Sequence, residues 1–247
     1  VVGLDGPCVD GTQLDALLSS GPPAVVAIQH VNSETGVMQP IFEYLPLVRD
    51  AGGVLLADCS QSAGKHELPD CDMAVVSGHK LGGPIGIGAL LVREFGMLKP
   101  VGGHERGYRQ GTENLPGALG LAAALEACSP GYVSDNEAIS DLLCDFADTL
   151  RDSGGKIVDA DGSSSMFIRA VAHPVMGAQP LLIRLDAMGF AVSAGSACSS
   201  GTLKKSRALE AFGLDDDTAS RTIRISLGWN TTPRELEAFV DAWSSLT

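Results

Sequence analysis

Short apolar runs alternate with a helical segment through the first half of the chain, and this alternation most constrains the fold. The runs cover residues 24–31, 54–57, 73–76 and 88–92. The continuous apolar run 24–31 predicts a buried strand. Residues 40–50 have helical spacing, although Pro46 stands against a helix there. Strands that alternate with helices predict an α/β layered sheet.

Polar residues follow three of these predicted strands. They are Asn32, Asp58 and the group Ser77-Gly78-His79-Lys80. In α/β sheets, polar residues just beyond the carboxyl ends of strands often line a ligand crevice. We therefore expect the functional residues of this half of the chain at that edge.

The second half combines helices with shorter strands. Predicted helices cover residues 115–128, 136–151, 180–188 and 203–212, and predicted strands cover 166–171, 190–193 and 222–226. The stretch 152–165 is polar and rich in Gly and Ser, and Thr232-Pro233 is typical of a helix start. We place a domain boundary near residue 130, which gives domains 1–130 and 131–247.

The charge balance disfavours nucleic acid and anionic membranes as direct partners. The chain has 30 acidic and 17 basic residues, a net charge of −13. Binding to a phosphate backbone needs clustered Lys and Arg, and the densest basic run is Lys204-Lys205 followed by Arg207. No apolar run has the length of a membrane span, and the first residues show no signal-peptide pattern.

The six cysteines are widely spaced, so neither a zinc site nor a disulfide scaffold is predicted. Reduced thiols in the cytoplasm are the expectation. Cys198 lies in GSACSSG, among small polar residues that favour an exposed, reactive thiol. The alternative is a small buried hydrophobe, which we keep for the other five cysteines.

Three further residues are candidates for chemistry, each with a plainer alternative. Lys80 at a strand end could be desolvated and form a Schiff base, or could face solvent. Asp58 could pair with a cation, or could cap a helix. Arg224 could bind a substrate carboxylate, or could form a surface ion pair. The glycine-rich polar loop 102–114 has the length of a functional loop.

Six motifs, in this order, resemble the cysteine desulfurases, which are pyridoxal-phosphate (PLP) enzymes of the class V aminotransferase group. The motifs are HVNSETGVMQP, DCSQSAGK, SGHKLGGPIGIGALLVR, GGHERGYRQGTEN, SAGSACSSG and TIRISLGWNTT. The resemblance implies a type I PLP-dependent transferase fold. Residues 1–130 would then be part of the large PLP-binding α/β domain with a mostly parallel sheet, and 131–247 the small α+β domain.

The resemblance also implies a role for each matching residue. Lys80 would link PLP covalently, Asp58 would pair with the ring nitrogen and Gln61 would bind the ring 3-oxygen. Ser77 and His79 would bind the phosphate, and Thr112 would reach the phosphate of a neighbouring subunit's cofactor, which implies a homodimer. Arg224 would hold the carboxylate of L-cysteine. Cys198 would take the substrate sulfur as a persulfide and release L-alanine.

The stretch from Cys198 to Leu209 resembles the longer-loop subgroup that feeds sulfur to iron–sulfur scaffold proteins. Two features depart from the family pattern. Ser33 stands where an asparagine normally contacts cofactor and substrate. The family's N-terminal portion, with a phosphate loop and a ring-stacking histidine, is not in this sequence, so we expect weak PLP retention by these 247 residues alone.

Two alternatives remain open at this point. The chain could be another class V PLP lyase or aminotransferase, although Cys198 argues against that. It could also be a non-catalytic fragment or assembly module that keeps the fold. A Cys–His thiol hydrolase has little support, because no nucleophile elbow is present.

Overall fold

The computed structural model describes residues 1–128, 137–158, 163–194, 206–228 and 230–247, with the backbone alone for 137–142. The strands are β1 Leu4–Asp5, β2 Cys8–Val9, β3 Val25–Gln29, β4 Val54–Asp58, β5 Met73–Ser77, β6 Gly88–Val92, β7 Lys156–Val158, β8 Ile168–Ala172, β9 Ser193–Ala194 and β10 Thr222–Ser226. The α-helices are α1 Gly11–Ser20, α2 Ile41–Asp50, α3 Leu115–Cys128, α4 Glu137–Asp152, α5 Ala178–Ala187, α6 Arg207–Ala211, α7 Asp216–Ser220 and α8 Pro233–Ser244. Short 3-10 turns cover Gly78–Leu81, Phe95–Met97 and Glu105–Gly107.

The chain forms two compact units. One contains residues Gly11–Val31 and Gln39–Ser134, and we call it the parallel-sheet unit. The other contains Val1–Asp10, Asn32–Met38 and Asp135–Thr247, and we call it the antiparallel-sheet unit. The domain division near residue 130 stays a prediction. In the structure, the short segments 1–10 and 32–38 belong to the same unit as the residues after 134.

The parallel-sheet unit is built on a four-stranded sheet in the order β3-β4-β5-β6. Strands β3, β4 and β5 are parallel, and β6 is antiparallel to β5. Helix α2 buries Ile41, Leu45 and Val48, as its spacing predicts, and it continues through Pro46. The carbonyl that loses a hydrogen bond to Pro46 is that of Phe42, on the exposed side of the helix.

The prediction of a buried strand over 24–31 is wrong in its burial. The strand is shorter, Val25–Gln29, and it lies at an edge of the described sheet. Val25 is 63% exposed, and Ile28 is the one fully buried residue of the strand. A continuous apolar run does not distinguish a central strand from an edge strand, because neighbours in the sheet decide its burial.

The antiparallel-sheet unit contains a four-stranded sheet in the order β7-β8-β10-β9. Its core includes Leu150, Val171, Ile223, Phe239 and Trp243. The prediction of a strand at TIRIS is confirmed by β10, but the strand is more than half-buried, because Thr222 is buried as well as Ile223 and Ile225. The predicted start of the last helix is also confirmed, because Thr232 and Glu235 form a reciprocal capping box with Pro233 in the first turn.

Two details of this unit differ from the sequence expectation. Strand β7 lies inside the polar stretch 152–165, where the sequence predicts no strand. The strand expected at 190–193 is displaced to Ser193–Ala194. Both strands have three residues or fewer, which is too short for a periodic pattern to reveal.

Candidate functional site

The carboxyl ends of the three parallel strands meet at one edge of the sheet. His30 follows β3, Asp58 ends β4, and Ser77 ends β5. The backbone N–H of His30 donates to the carbonyl of Asp58, and that of Cys59 to the carbonyl of Val75, each at 2.9 Å. The sheet pattern therefore continues one residue beyond the strands and fixes the spacing of the side chains at this edge.

Asp58 presents a carboxylate at this edge. Its side chain is exposed, and Oδ1 accepts from the backbone N–H of Ser60 at 2.9 Å. The alternative of a helix cap is wrong, because the structure has turns and no helix over residues 59–66. The other oxygen, Oδ2, has no hydrogen-bond partner among the described residues and is available to a ligand.

The segment after β5 carries three more candidates on one 3-10 turn, Gly78–Leu81. The hydroxyl of Ser77 lies 3.0 Å from Nδ1 of His79. Gly78 is needed because a Cβ there would lie 2.9 Å from the carbonyl oxygen of Ile87. Gly82 ends the turn with a φ of 86°, a conformation that favours glycine. The backbone thus holds Ser77 and His79 close together.

Lys80 is half-buried on the same turn, next to a second lysine. Burial lowers the pKa of Lys65, and the positive charge of Lys80 lowers it further. The two ammonium groups therefore share one neighbourhood. Lys80 is partly exposed, so its desolvation stays a prediction.

His30 is a site residue that the sequence analysis does not single out. It is 7% exposed, and its Nδ1 has no partner among the described residues. Burial lowers the pKa of His30. Burial also lowers the pKa of His66 to about 4, with smaller effects from His30 and Lys65. The sequence indicates that His30 lies at this edge only through its position directly after an apolar run.

The loop 102–114 has more internal structure than the sequence predicts. The backbones of His104 and Arg109 form an isolated bridge, and Nδ1 of His104 lies 2.8 Å from Oε1 of Glu113. Glu105 and Arg106 have left-handed φ values of 49° and 56°, which cost energy in residues other than glycine. Thr112 is exposed in this loop.

Gln61 is half-buried in the turn after Asp58, and no hydrogen bond of its side chain is seen in the described structure. The two residues stand three positions apart in the turn that leaves the sheet edge. Gln61 and Asp58 therefore belong to the same edge of the parallel-sheet unit.

Arg224 lies in the antiparallel-sheet unit, on β10. Its Nη1 donates to the carbonyl of Ser33 at 3.0 Å, and its Nη2 donates to Oγ of Ser193 at 3.2 Å. Nε is buried and has no partner among the described residues. The alternative of a surface ion pair is wrong, because Arg224 is half-buried and no described carboxylate pairs with it. Ser33 takes part through its backbone, with its side chain half-buried.

The cysteines divide by burial. Cys59 is buried, and burial raises its pKa to about 11. Cys8, Cys71 and Cys128 are half-buried, whereas Cys144 is exposed and departs from the expectation of a small buried residue. Cys198 lies outside the described residues, within 195–205.

Within the described part of the chain, no helix is long and apolar enough to cross a membrane. The same residues contain no group of three or more His, Cys, Asp or Glu that could hold a metal ion.

Comparison with known proteins identifies consistent relatives. The profile of the aminotransferase class-V family matches residues 9–239. The chain is 36% identical over 228 residues to cysteine desulfurase IscS of Anaeromyxobacter sp. (strain Fw109-5), covering 87% of this chain and 56% of that protein. It is 36% identical over 239 residues to cysteine desulfurase 2 of Trichormus variabilis, covering 93% and 59%. The chain thus spans less than two thirds of the length of these curated relatives.

Solved structures give the same result. A NifS-like protein from Rickettsia africae has a TM-score of 0.84 and 27% identity, covering 100% of this chain and 69% of that one. Another NifS-like protein has a TM-score of 0.86 and 26% identity, covering 99% and 67%. These similarities confirm the predicted α/β fold class and the resemblance on which it rests.

Proposed function

Because the chain belongs to the class-V aminotransferase family, we propose that it works as a PLP-dependent cysteine desulfurase. The observation that carries the proposal is the sheet edge of the parallel-sheet unit, where Asp58, Ser77, His79 and Lys80 follow neighbouring strands. The cysteine desulfurase names of the similar curated proteins support the same activity.

The residues at this edge fit PLP, the cofactor of the family. A phosphate needs hydrogen-bond donors, and the Ser77 hydroxyl and the His79 imidazole lie side by side. A protonated ring nitrogen needs a carboxylate, and Oδ2 of Asp58 is available. A covalent link needs an amine, and Lys80 lies on the same turn as His79.

Each residue then has a defined task. Lys80 holds the cofactor covalently, Asp58 keeps its ring nitrogen protonated, and Gln61 donates to the ring 3-oxygen. Ser77 and His79 bind the phosphate, with Thr112 reaching the phosphate in a neighbouring subunit. When bound, PLP withdraws electrons from the Cα of the substrate, which weakens the bonds around that carbon.

Arg224 is the proposed substrate-binding residue, and Ser33 is a proposed cofactor-binding residue that also faces the substrate. The two donors of Arg224 that bind the Ser33 carbonyl and Ser193 hold the guanidinium plane in one orientation. The remaining N–H groups of the fork can bind the carboxylate of L-cysteine. Ser33 has no side-chain amide. It offers a hydroxyl at the position where, by the resemblance, cysteine desulfurases normally carry the amide of an asparagine.

Cys198 is the proposed sulfur acceptor. Its thiolate attacks the sulfur of L-cysteine, the S–S bond forms, and the C–S bond breaks. The electrons of the C–S bond pass to the Cβ of the substrate, and this carbon takes up a proton. The substrate is then released as L-alanine. The products are L-alanine and a Cys198 persulfide, and the overall reaction needs no added oxidant or reductant.

The persulfide sulfur would pass to an acceptor or iron–sulfur scaffold protein in the cytoplasm. A homodimer is supported by exposed large apolar side chains of the parallel-sheet unit, which are Ile85, Val101, Leu115 and Leu119. A second copy of the chain would remove these side chains from water and bring Thr112 to the neighbouring cofactor.

The proposal is tested with the full natural chain, PLP and L-cysteine. We expect equal amounts of L-alanine and of a Cys198 peptide that carries one extra sulfur atom. Cys198→Ser should abolish the persulfide but leave the absorbance change of PLP on addition of L-cysteine. Transamination without persulfide would assign the chain to another class V activity, and an absence of any PLP change would favour the non-catalytic assembly module.

A further inference from the structure

Ser193 lies directly opposite Arg224 across two strands of the antiparallel sheet. The register of β9 and β10 pairs these two residues, and cross-strand partners in an antiparallel pair carry their side chains on the same face of the sheet. Oγ of Ser193 accepts from Nη2 of Arg224 at 3.2 Å. The pairing of the strands therefore brings the hydroxyl to the guanidinium, and both residues belong to the antiparallel-sheet unit.

The other acceptor of the guanidinium, the carbonyl of Ser33, has a fixed backbone. Oδ1 of Asn32 accepts from the backbone N–H groups of Glu34 and Thr35, both at 2.9 Å, so that a closed turn surrounds Ser33. Asn32 and Thr35 are buried, which shields these hydrogen bonds from competing water. The carbonyl of Ser33 accepts from Nη1 at 3.0 Å. The guanidinium thus has two acceptors that separate parts of the backbone hold in place.

The two acceptors use half of the N–H groups on the terminal nitrogens of Arg224. Each terminal nitrogen of an arginine carries two N–H groups, and one on Nη1 goes to Ser33 while one on Nη2 goes to Ser193. Nε is buried, so the terminal nitrogens are the ones left for a ligand. One N–H remains on each of them, which matches the two oxygens of a carboxylate.

Ser193 acts on such a carboxylate through Arg224 and does not touch it. The two N–H groups of Nη2 diverge by about 120°, so two acceptors bound to them are about 5 Å apart. That separation is too long for a hydrogen bond between Oγ of Ser193 and the carboxylate oxygen on the other N–H. The hydroxyl therefore sets the direction of the guanidinium and leaves ligand contact to Arg224.

We infer that Ser193 is a positioning residue, which turns the guanidinium of Arg224 so that both terminal nitrogens meet the substrate carboxylate, and which makes the site selective for amines with an α-carboxylate. The chemistry of this role rests on the proposed function of Arg224, and its geometry rests on the contact between Ser193 and Arg224. Without the hydroxyl, the guanidinium loses one of its two fixed acceptors and turns away from the bidentate orientation for part of the time.

The first test is independent of the cofactor and uses the full natural chain without PLP. Ser193→Ala removes the acceptor, whereas Ser193→Thr keeps a hydroxyl and suits a strand. Phenylglyoxal modifies guanidinium groups, and peptide mapping measures its rate of reaction with Arg224. We expect roughly tenfold faster modification in Ser193→Ala, the scale of one lost hydrogen bond to a charged group. Ser193→Thr should react at the wild-type rate.

The second test compares two amines that differ only in the α-carboxylate, L-alanine and ethylamine. Each is titrated into the PLP-loaded chain, and the absorbance change of PLP gives the dissociation constant. Ser193→Ala should bind L-alanine about tenfold more weakly and should bind ethylamine as wild type does. A purely structural role of Ser193 would weaken the binding of both amines, so this comparison separates positioning from damage to the fold.

Two controls isolate the contact. In an Arg224→Ala background, which lacks the guanidinium, Ser193→Ala should have no further effect on the binding of L-alanine. Ser220→Ala removes an exposed hydroxyl of the same unit, which donates to the carbonyl of Asp217 at 2.8 Å. This variant should match wild type in both tests.

The outcomes separate the role of Ser193 from the proposed function. Wild-type modification of Arg224 together with wild-type binding of L-alanine in Ser193→Ala overturns the positioning role, as does equal weakening of L-alanine and ethylamine. A wild-type chain that binds PLP but makes no L-alanine from L-cysteine overturns the desulfurase proposal, and the comparison of the two amines still decides the role of Ser193. A chain that binds no PLP also overturns that proposal, and the phenylglyoxal rates then show whether Ser193 holds the guanidinium.

Discussion

The hydroxyl of Ser77 lies 3.0 Å from Nδ1 of His79, at the point where β5 passes into a 3-10 turn. The backbone thus sets the spacing of two polar side chains at the proposed phosphate site. We expect Ser77→Ala to weaken PLP binding about tenfold, the effect of losing roughly 1.4 kcal/mol. Titration of the apoprotein with PLP, followed by absorbance, measures the dissociation constant. Ser20→Ala, at the exposed end of α1, is the matched control and should bind PLP as wild type does.

A partly buried ion pair, in which the Asp72 side chain is 4% exposed and that of Arg49 is 40% exposed, stabilises the end of the sheet opposite to the proposed cofactor residues. Nε and Nη2 of Arg49 both donate to Oδ1 of Asp72, at 3.0 and 2.8 Å, and the N–H of Leu55 donates to Oδ2. Asp72→Asn should lower the free energy of unfolding by about 1–3 kcal/mol, because it removes the buried negative charge that accepts both hydrogen bonds of Arg49. Urea denaturation at pH 7 measures this loss. The control Asp50→Asn, at the exposed end of α2, should change the free energy of unfolding little.

The same carboxylate makes an acid-sensitive contribution. Burial raises the pKa of Asp72, but hydrogen bonds from Leu55 and Arg49 outweigh burial, so that the net pKa is below the ordinary 3.8. A lowered pKa stabilises the fold above pH 3.8, and this stability is lost as the pH falls through the lower, folded-state pKa. Wild type should therefore lose more stability than Asp72→Asn below pH 4. Parallel acid denaturation curves for the two proteins would contradict this.

His66 should make the fold less stable in weak acid. Its pKa is about 4 in the folded chain, against 6.5 for an ordinary histidine, chiefly because of burial. Between these values the unfolded chain binds the proton and the folded chain does not, so stability falls as the pH drops from 6.5 to 4. We expect His66→Gln to remove about 1–2 kcal/mol of that loss, a value reduced for partial exposure to solvent. Urea denaturation at pH 7.5 and at pH 4.5 measures how much free energy of unfolding each protein loses between the two pH values. An equal loss in His66→Gln and in wild type would refute the lowered pKa of His66.

Two glycines with left-handed backbones test how closely the turn formed by residues 32–37 packs against β8. A Cβ on Gly36 would lie 2.2 Å from the Ile168 carbonyl oxygen, whereas a Cβ on Gly6 would meet nothing within 4 Å. Gly6→Ala should cost about 1 kcal/mol of backbone strain, and Gly36→Ala should cost about 3 kcal/mol or more through the added clash. Thermal unfolding of both variants measures the difference. A similar loss in the two would mean that the turn does not pack closely on β8.

The elements that could be predicted from the sequence are those with local signals. TIRIS alternates in polarity, and Thr232-Pro233 with Glu235 is a local capping motif, so both β10 and the start of α8 could be predicted. The polar residues that follow the predicted strands can also be assigned to one edge of the sheet from the sequence, because parallel strands align their carboxyl ends.

Other features depend on contacts that the sequence does not reveal. The burial of β3 depends on its neighbours in the sheet, and the burial of His30 depends on the residues that cover its ring. Arg224 and Ser33 stand 191 positions apart, so no local pattern links the guanidinium of one to the carbonyl of the other. Sequence motifs could identify candidate chemistry, whereas the contacts that position those side chains needed the fold.

Lys80 is the residue to which we assign the covalent link with PLP. The most direct measurement is borohydride reduction of the full natural chain with PLP, followed by peptide mapping. Reduction makes the link between lysine and cofactor permanent, and we predict a pyridoxyl group on the peptide that contains Lys80 and on no peptide of Lys80→Ala. A folded chain that shows no pyridoxyl group at Lys80, or one at Lys65 in its place, would contradict the account.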